Sequence, residues 1–275
     1  MECENRKKFG IILMSISIIV IVLFCCCTQP RKETIRIAGS TTVQPISLKA
    51  AEIFMERNPN VMVSVLGGGS GTGIKMVAEG SVDIGASSRE LKDEEKAKYP
   101  DLVAKVMARD AIAIVVNPKN PVNDLTLEQI RDIFSGKIRN WKEVGGEDKE
   151  IVVVVREIGS GTRATFEEIV MRGVKIREDA LQKPSNGAVK AKISENENAI
   201  GYIGLGYVDS SVKALKVDGV YPSKENVRSG KYKLVRNLYY ITKGEPSGIT
   251  KEFIDFVLSE EGQKIVEEEG FISVA

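Results

Sequence analysis

An α/β fold is what the sequence predicts, and three observations predict it. Short apolar segments rich in Val and Ile alternate along the chain with segments of helical period, an order that builds a largely parallel sheet covered by helices on both faces. Two of the apolar segments, Ala111 to Val116 and Ile151 to Val155, contain no polar residue, as expected of strands buried on both faces. The third observation is a recurrent joint: a strand, a short Gly/Ser/Thr turn, then a helix.

Taken in order, Ile35 to Ala38 reads as a short strand. Val43 to Arg57 reads as a helix, because Ile46, Ala50, Ile53 and Phe54 recur at roughly helical spacing and Pro45 stands in the first turn. Val61 to Leu66 is a strand with alternate residues apolar, Gly73 to Glu79 a short helix stopped by Gly80, and Val82 to Ala86 a third strand. Val103 to Met107 and Ala111 to Val116 are read as strands, and Asn117-Pro118-Lys119-Asn120-Pro121 breaks the chain after them. Thr126 to Phe134 is a helix closed by Ser135-Gly136. Ile151 to Val155 is a strand, and Thr162 to Met171 and Ala188 to Glu195 are helices. Ala199 to Ile203, Ala214 to Val217 and Leu238 to Thr242 are strands, and the chain ends in helices near Ile249 to Leu258 and Glu261 to Glu268.

Composition narrows the chemistry. The 275 residues are 43% hydrophobic and 28% charged, a globular composition with room for one large domain or two smaller ones. There is no histidine, which excludes a Ser-His-Asp triad, a Cys-His pair and a histidine metal site. All four cysteines, Cys3, Cys25, Cys26 and Cys27, lie at the N-terminus, so the rest of the chain holds no disulfide and no thiolate zinc site. With no DxD cluster either, neither a metal nor a cofactor is expected, and binding takes precedence over catalysis.

The N-terminus reads as a targeting segment. Arg6, Lys7 and Lys8 form a basic flank before Phe9 to Cys27, which carries no charge over 19 residues, near the length that spans a bilayer. Leu23-Phe24-Cys25-Cys26 fits a lipoprotein signal loosely, with Cys26 the residue that would carry lipid. The other reading of 1–27 is an uncleaved anchor helix. Both place the chain from about residue 28 outside the cytoplasm, held at the cell membrane. Beyond residue 27 there remain 36 basic and 36 acidic residues, so net charge is zero. A nucleic-acid partner is not expected, and any anion recognition must be local.

The turns carry the functional signal. Ala38-Gly39-Ser40-Thr41-Thr42, Gly67-Gly68-Gly69-Ser70-Gly71-Thr72-Gly73 and Gly159-Ser160-Gly161-Thr162 each open a helix. A helix start offers unpaired N–H groups and the positive end of the dipole, and glycine lets backbone approach a ligand. Such turns are also ordinary caps when met singly. No GxxxxGK[ST] pattern and no dinucleotide fingerprint is present, so the donors suit a small anion. Arg156 ends the strand Ile151 to Val155 just before the third turn, where a guanidinium fork suits an oxyanion. Asn186-Gly187 offers further donors at another helix start. Trp141, Tyr202 and Tyr207 read as packing, and Glu260 to Glu269 as a solvated helix face.

Gly39-Ser40-Thr41-Thr42, Gly69-Ser70-Gly71, Asp83-Ile84-Gly85-Ala86-Ser87-Ser88, Arg156-Glu157-Ile158-Gly159-Ser160-Gly161-Thr162 and Ala199-Ile200-Gly201-Tyr202, in that order, resemble the phosphate-binding proteins of Pst-type ABC transporters. The resemblance runs from about Ile35 to the C-terminus. It implies a two-lobed periplasmic-binding-protein-like fold, each lobe a mostly parallel sheet flanked by helices, with hinge crossovers near Ile112 to Asn117 and Asn237 to Thr242. Residues 33–112 with 240–275 would form a discontinuous first lobe and 113–239 the second. It further implies that Ser40, Thr41, Thr42, Ser70 and Ser88 from the first lobe, and Arg156, Ser160, Gly161 and Thr162 from the second, bind inorganic phosphate. The partners it implies are phosphate and the permease subunits, with the receptor itself a monomer and not an enzyme. Two positions depart from the family pattern: Ser88 and Ile158 stand where its best-known members have aspartate. The first of those aspartates accepts the proton that hydrogen phosphate keeps and sulfate lacks. The second orients the arginine, and Asp110, entering the first crossover, is the candidate to replace one role or both. The departures leave open a receptor of the same fold for sulfate, molybdate or tungstate, and the fold would also serve a phosphate sensor without transport.

Overall fold

The computed structural model describes residues 32–274. The targeting segment and Cys26 lie outside the described residues. The first part of the chain lays down strand β1 (Glu33–Gly39), helix α1 (Gln44–Arg57), β2 (Val61–Gly67), α2 (Ser70–Ala78), β3 (Ile84–Ser87), α3 (Asp93–Lys98) and the long strand β4 (Leu102–Val116). A second part follows with β5 (Asp124–Leu125), α4 (Leu127–Ser135), a 3-10 turn at Trp141–Val144, β6 (Val152–Arg156), α5 (Gly161–Phe166), β7 (Leu181–Lys183), α6 (Asn186–Glu195) and β8 (Ala199–Gly204). Beyond a 3-10 turn at Leu205–Tyr207 come β9 (Lys213–Ala214), β10 (Lys216–Val217) and α7 (Lys224–Arg228). The chain returns through β11 (Val235–Lys243) and ends in α8 (Gly248–Leu258) and α9 (Glu260–Glu268).

The strands run β2-β1-β3-β11-β4-β8-β6-β7, with β9 also on β4. Pairing is parallel within each half, β1 with β2 and β3, and β6 with β8 and β7. It is antiparallel wherever β4 or β11 takes part. The largely parallel sheet expected from the strand–helix alternation is therefore confined to each half, because the strands that carry the chain between halves must run the other way. β4 pairs with β11 over Leu102–Ala111 and with β8 over Ile112–Val116, so one strand serves both halves.

Each half has its own core. In the first, Ile35 and Ile37 of β1 pack with Ile46, Ala50 and Phe54 of α1, and Phe54 meets Phe253 edge-on at 5.3 Å. In the second, Ile114, Phe134, Trp141, Phe166 and Tyr202 are buried together, with Phe166 stacked on Tyr202 at 4.1 Å. Trp141 is packing, as expected, its indole N–H bonded to the Asn198 carbonyl at 2.9 Å. Burying such a side chain stabilises by roughly 1.5–3 kcal/mol.

Local sequence accounts for most element ends. Thr126 and Gln129 form a capping box at the start of α4, and Gly136 at φ 85° ends it in the left-handed conformation. Three readings differ. Val103 to Met107 and Ala111 to Val116 are one strand, since the polar interruption at Asp110 is fully buried and met by a partner on β11. The helix expected to run to Met171 changes at Glu167 into a π-helical turn, stopped by Arg172 at φ 48°. The strand expected over Ala214 to Val217 is two short ones on different partners, β4 and β5.

Candidate functional site

Four helix starts converge where the halves meet. β1 ends at Gly39, whose φ of 137° and whose distance of 2.2 Å from a built β-carbon to the Ala86 carbonyl admit only glycine. The turn after it buries Ser40, Thr41 and Thr42. The Ser40 hydroxyl accepts from the Thr42 amide at 3.2 Å and so braces the turn itself. Ser70 opens α2 fully buried, accepts from the Ser88 amide at 3.0 Å and shares a hydroxyl contact of 3.3 Å with Ser88. Ser160 caps α5 by accepting from the Arg163 amide at 3.3 Å.

The halves are closed on one another there. Gly71 at the start of α2 donates its amide to the Gly159 carbonyl at 3.0 Å. Thr42 and Thr162 share a hydroxyl contact of 3.2 Å. A β-carbon on Gly161 would stand 2.3 Å from the Ser70 hydroxyl and 2.5 Å from that of Ser88. Asn186, at the start of α6, donates to Thr41 at 3.3 Å and to Thr42 at 2.9 Å, while its carbonyl oxygen accepts from the Gly204 amide at 3.2 Å. The Tyr207 hydroxyl donates to the Thr41 carbonyl. The structure thus brings Thr41, Thr42, Ser70, Ser88, Gly161 and Thr162 into one cluster, and turns the Ser40 and Ser160 hydroxyls back onto their own chain.

Arg156 ends β6 with only 1% of its surface exposed. Its Nε and Nη2 donate to the carbonyls of Lys183 and Pro184 at 3.3 and 2.8 Å, which fixes the loop leading into α6. Among the described residues it has neither a carboxylate partner nor any acceptor for Nη1. Burial therefore lowers its pKa to about 10, with the Arg236 charge adding to the effect. Ile158, at the position where the resemblance puts an aspartate, is 83% exposed.

Asp110 is fully buried but occupied. Its Oδ2 accepts from Nε and Nη2 of Arg236 at 3.0 and 2.7 Å, and its Oδ1 from the Leu205 amide at 3.0 Å. Burial pushes its carboxyl upward, against the pull of that guanidinium and of the Leu205 and Ala111 amides. Arg236 is the residue that sequence reasoning missed. It lies just upstream of the strand expected at Leu238, and only the register of β11, which sets it opposite Asp110, reveals it. It also donates to Thr42 at 3.1 Å and to Ser88 at 3.4 Å. Every side-chain nitrogen and oxygen wholly shut off from solvent among the described residues has a partner, so Arg156 Nη1 keeps some solvent access. Among the same residues no group of three or more His, Cys, Asp or Glu side chains is placed to hold a metal.

Hydroxyls, helix N-termini and a carboxylate-free arginine in a cleft between two α/β halves define a two-lobed substrate-binding protein. The model of the PBP superfamily domain matches residues 28–261. The phosphate-binding protein PstS of Bacillus subtilis (strain 168) is 42% identical over 243 residues, 88% of this chain and 81% of that one. That of Borreliella burgdorferi is 34% identical over 281 residues, covering 98% and 99%. A substrate-binding protein from Clostridium perfringens, solved with bound phosphate, superposes with a TM-score of 0.85 at 46% identity, over 88% of this chain and all of that one. The chain belongs to the PstS family of phosphate-binding proteins.

Proposed function

We propose that this chain is an extracytoplasmic receptor that captures inorganic phosphate between its lobes and delivers it to an ABC permease. The observation that carries the reading is Arg156, a buried cation that has no carboxylate partner among the described residues, at the strand end that leads to α5 and bonded to the loop that leads into α6. A dehydrated oxyanion must have its oxygens saturated by donors, or burial is prohibitive. Thr42 is committed to donating, since Asn186 and Arg236 fill both lone pairs of its hydroxyl, and in this closed arrangement its one proton meets Thr162. Thr41, Ser70, Ser88 and Thr162 add hydroxyls and Gly161 its helix-start amide, while Ser40 and Ser160, whose amides donate to the Ala86 and Glu157 carbonyls at 2.8 and 3.3 Å, shape the turns at two of the helix starts, each dipole contributing about 0.3–1 kcal/mol. Arg156 supplies the permanent charge, and Asp110 is held in the same cluster by Arg236.

Closure over the anion is a two-state motion that the ligand biases. We propose two lobes, 33–112 with 240–275 against 113–239; the two separate cores and the partner change within β4 support a division into two, while Leu238 in the first core and Tyr239 paired with Ser87 of β3 favour a second boundary nearer Val235. Lobe closure would give the permease a surface absent from the open receptor. The reading makes the protein a monomeric, non-enzymatic receptor without metal or cofactor, tethered by lipid on Cys26 or by an uncleaved helix in 1–27. A second reading, another tetrahedral oxyanion such as sulfate or molybdate, is favoured by one observation, the hydroxyl at Ser88 in place of a carboxylate. Calorimetric titration of the anion-stripped full chain in detergent with phosphate, and with sulfate as competitor, separates them. Tight phosphate binding untouched by excess sulfate supports the first reading. Binding of sulfate as tight or tighter sinks it in favour of the second.

A further inference from the structure

The Asp110–Arg236 pair has a side that neither partner explains. Arg236 spends Nε on Asp110, and Nη2 on Asp110 and Thr42. Nη1 reaches only Ser88, at a long 3.4 Å, so one of its two N–H groups has no partner among the described residues. The edge of the guanidinium away from Asp110 thus lies among Thr42 and Ser88, hydroxyls of the anion cluster. The backbone is shaped for the pair. A β-carbon on Gly204 would stand 2.9 Å from Asp110 Oδ2, 3.1 Å from the Thr42 methyl and 3.4 Å from Arg236 Nη2, so only glycine lets the ion pair and Thr42 pack against β8.

We propose that Arg236 is a second guanidinium ligand of the bound anion, and that Asp110 is a positioning residue that acts through it rather than an acceptor for the ligand's proton. Three donors hydrogen-bond to the Asp110 carboxylate: two guanidinium N–H groups on Oδ2 and the Leu205 amide on Oδ1. A carboxylate has about four acceptor positions, and these donors fill both on Oδ2 and one on Oδ1. A protonated Asp110 would have to donate among donors. The other charged or titratable groups near the pair are Arg156 from β6, Tyr207 after β8 and Tyr232 before β11, and none of them hydrogen-bonds to it. Asp110 therefore cancels the charge of Arg236 without turning its free edge away. The site is left with one uncompensated cation, Arg156, and no carboxylate without a cation beside it, so a proton on the ligand meets the hydroxyl oxygens.

The inference rests on the phosphate-receptor reading, and the test tells their failures apart. Phosphate and sulfate are each titrated into the full chain in detergent, into Asp110→Asn and into Asp110→Asn/Arg236→Gln. A wild-type chain that binds neither anion sinks the receptor reading and this inference together. Asp110→Asn frees the Arg236 charge toward the ligand, so both anions should bind more tightly. Weaker phosphate with stronger sulfate would show that Asp110 takes the proton, and would overturn the proposal. The double variant removes the buried pair without leaving a lone charge, and should lose at least about tenfold for both anions. Wild-type affinity in the double variant would reduce the pair to a structural tie between β4 and β11. If the double variant does not melt cooperatively, Arg236→Lys decides. It keeps a charge opposite Asp110 but loses the fork, so about tenfold weaker binding supports the ligand role and unchanged binding overturns it.

Discussion

Thr42 and Thr162, 120 residues apart in sequence, hold their hydroxyls 3.2 Å from one another across the cleft. One belongs to the turn that opens α1 and the other to the first turn of α5, so their contact exists only when the two halves are shut. The residues proposed to hold the anion are in large part the residues that hold the halves together, and ligand affinity and closure should respond to the same substitutions.

Gly161→Ala tests this most directly. The added β-carbon would fall 2.3 Å from the Ser70 hydroxyl, a clash that exists only in the closed form. Overpacking of this kind costs about 1–3 kcal/mol, which converts to phosphate binding weakened roughly 5- to 150-fold. The melting temperature of the ligand-free protein should not move. Calorimetry and a thermal melt on the same sample check both, and unchanged affinity would mean that the closed arrangement is not the binding one.

Ser88→Asp puts a carboxylate beside Ser70 and within reach of Arg236. A carboxylate accepts and cannot donate, so it meets the proton of hydrogen phosphate and repels fully ionised sulfate. We expect sulfate affinity to fall at least about tenfold while phosphate is retained. Competition titrations of the two anions read the ratio, and a ratio that stays put would place the Ser88 side chain out of contact with the ligand.

The pH dependence follows from Arg156. Burial holds its pKa down at about 10 in the free protein, and a bound anion favours the charged form and so raises it. Affinity is then flat well below that value and falls as pH rises through it, by up to about tenfold per unit. The same shift acts on stability with the opposite slope. Between that value and its ordinary one the unfolded chain holds the extra proton, so the contribution of Arg156 to the stability of the ligand-free fold rises with pH there. Phosphate titrations on either side of that pH, with Arg156→Gln as the control that loses the dependence along with most of the affinity, check the sign.

Trp141→Phe should lower stability and spare binding. The substitution removes one of the two N–H groups that the Asn198 carbonyl accepts, the other being the Val152 amide, and opens space in the second core. A cost of about 1–3 kcal/mol in urea unfolding is expected, with phosphate affinity unchanged. A matching loss of affinity would make the indole part of the binding surface.

The order of α/β elements and the three turns were legible because they depend on short-range chemistry. Gly39, Gly69 and Gly159 sit at positive φ where strand passes to helix, and the Ser and Thr beside them are the residues that brace or cap such turns. Asn186 was visible for the same reason. Arg236 was not, because one arginine in Val235-Arg236-Asn237-Leu238 looks like any exposed strand residue until β11 is set in register against Asp110. The role given to Asp110 from sequence turned on a missing aspartate at Ser88, and nothing local could show the Arg236 guanidinium and the Leu205 amide from which it accepts. The π-helical turn at Glu167 and the pairing of β5 with β10 likewise depend on tertiary packing.

The unbroken run of β4 from Leu102 to Val116 has a consequence for how the molecule comes apart. Ala111 closes the ladder of one half and Ile112 opens that of the other, with no linker residue between them to absorb a local failure. If one half melts, the neighbouring register loses its anchor. Ligand-free protein should therefore unfold in a single transition with matching calorimetric and van't Hoff enthalpies, although it has two cores.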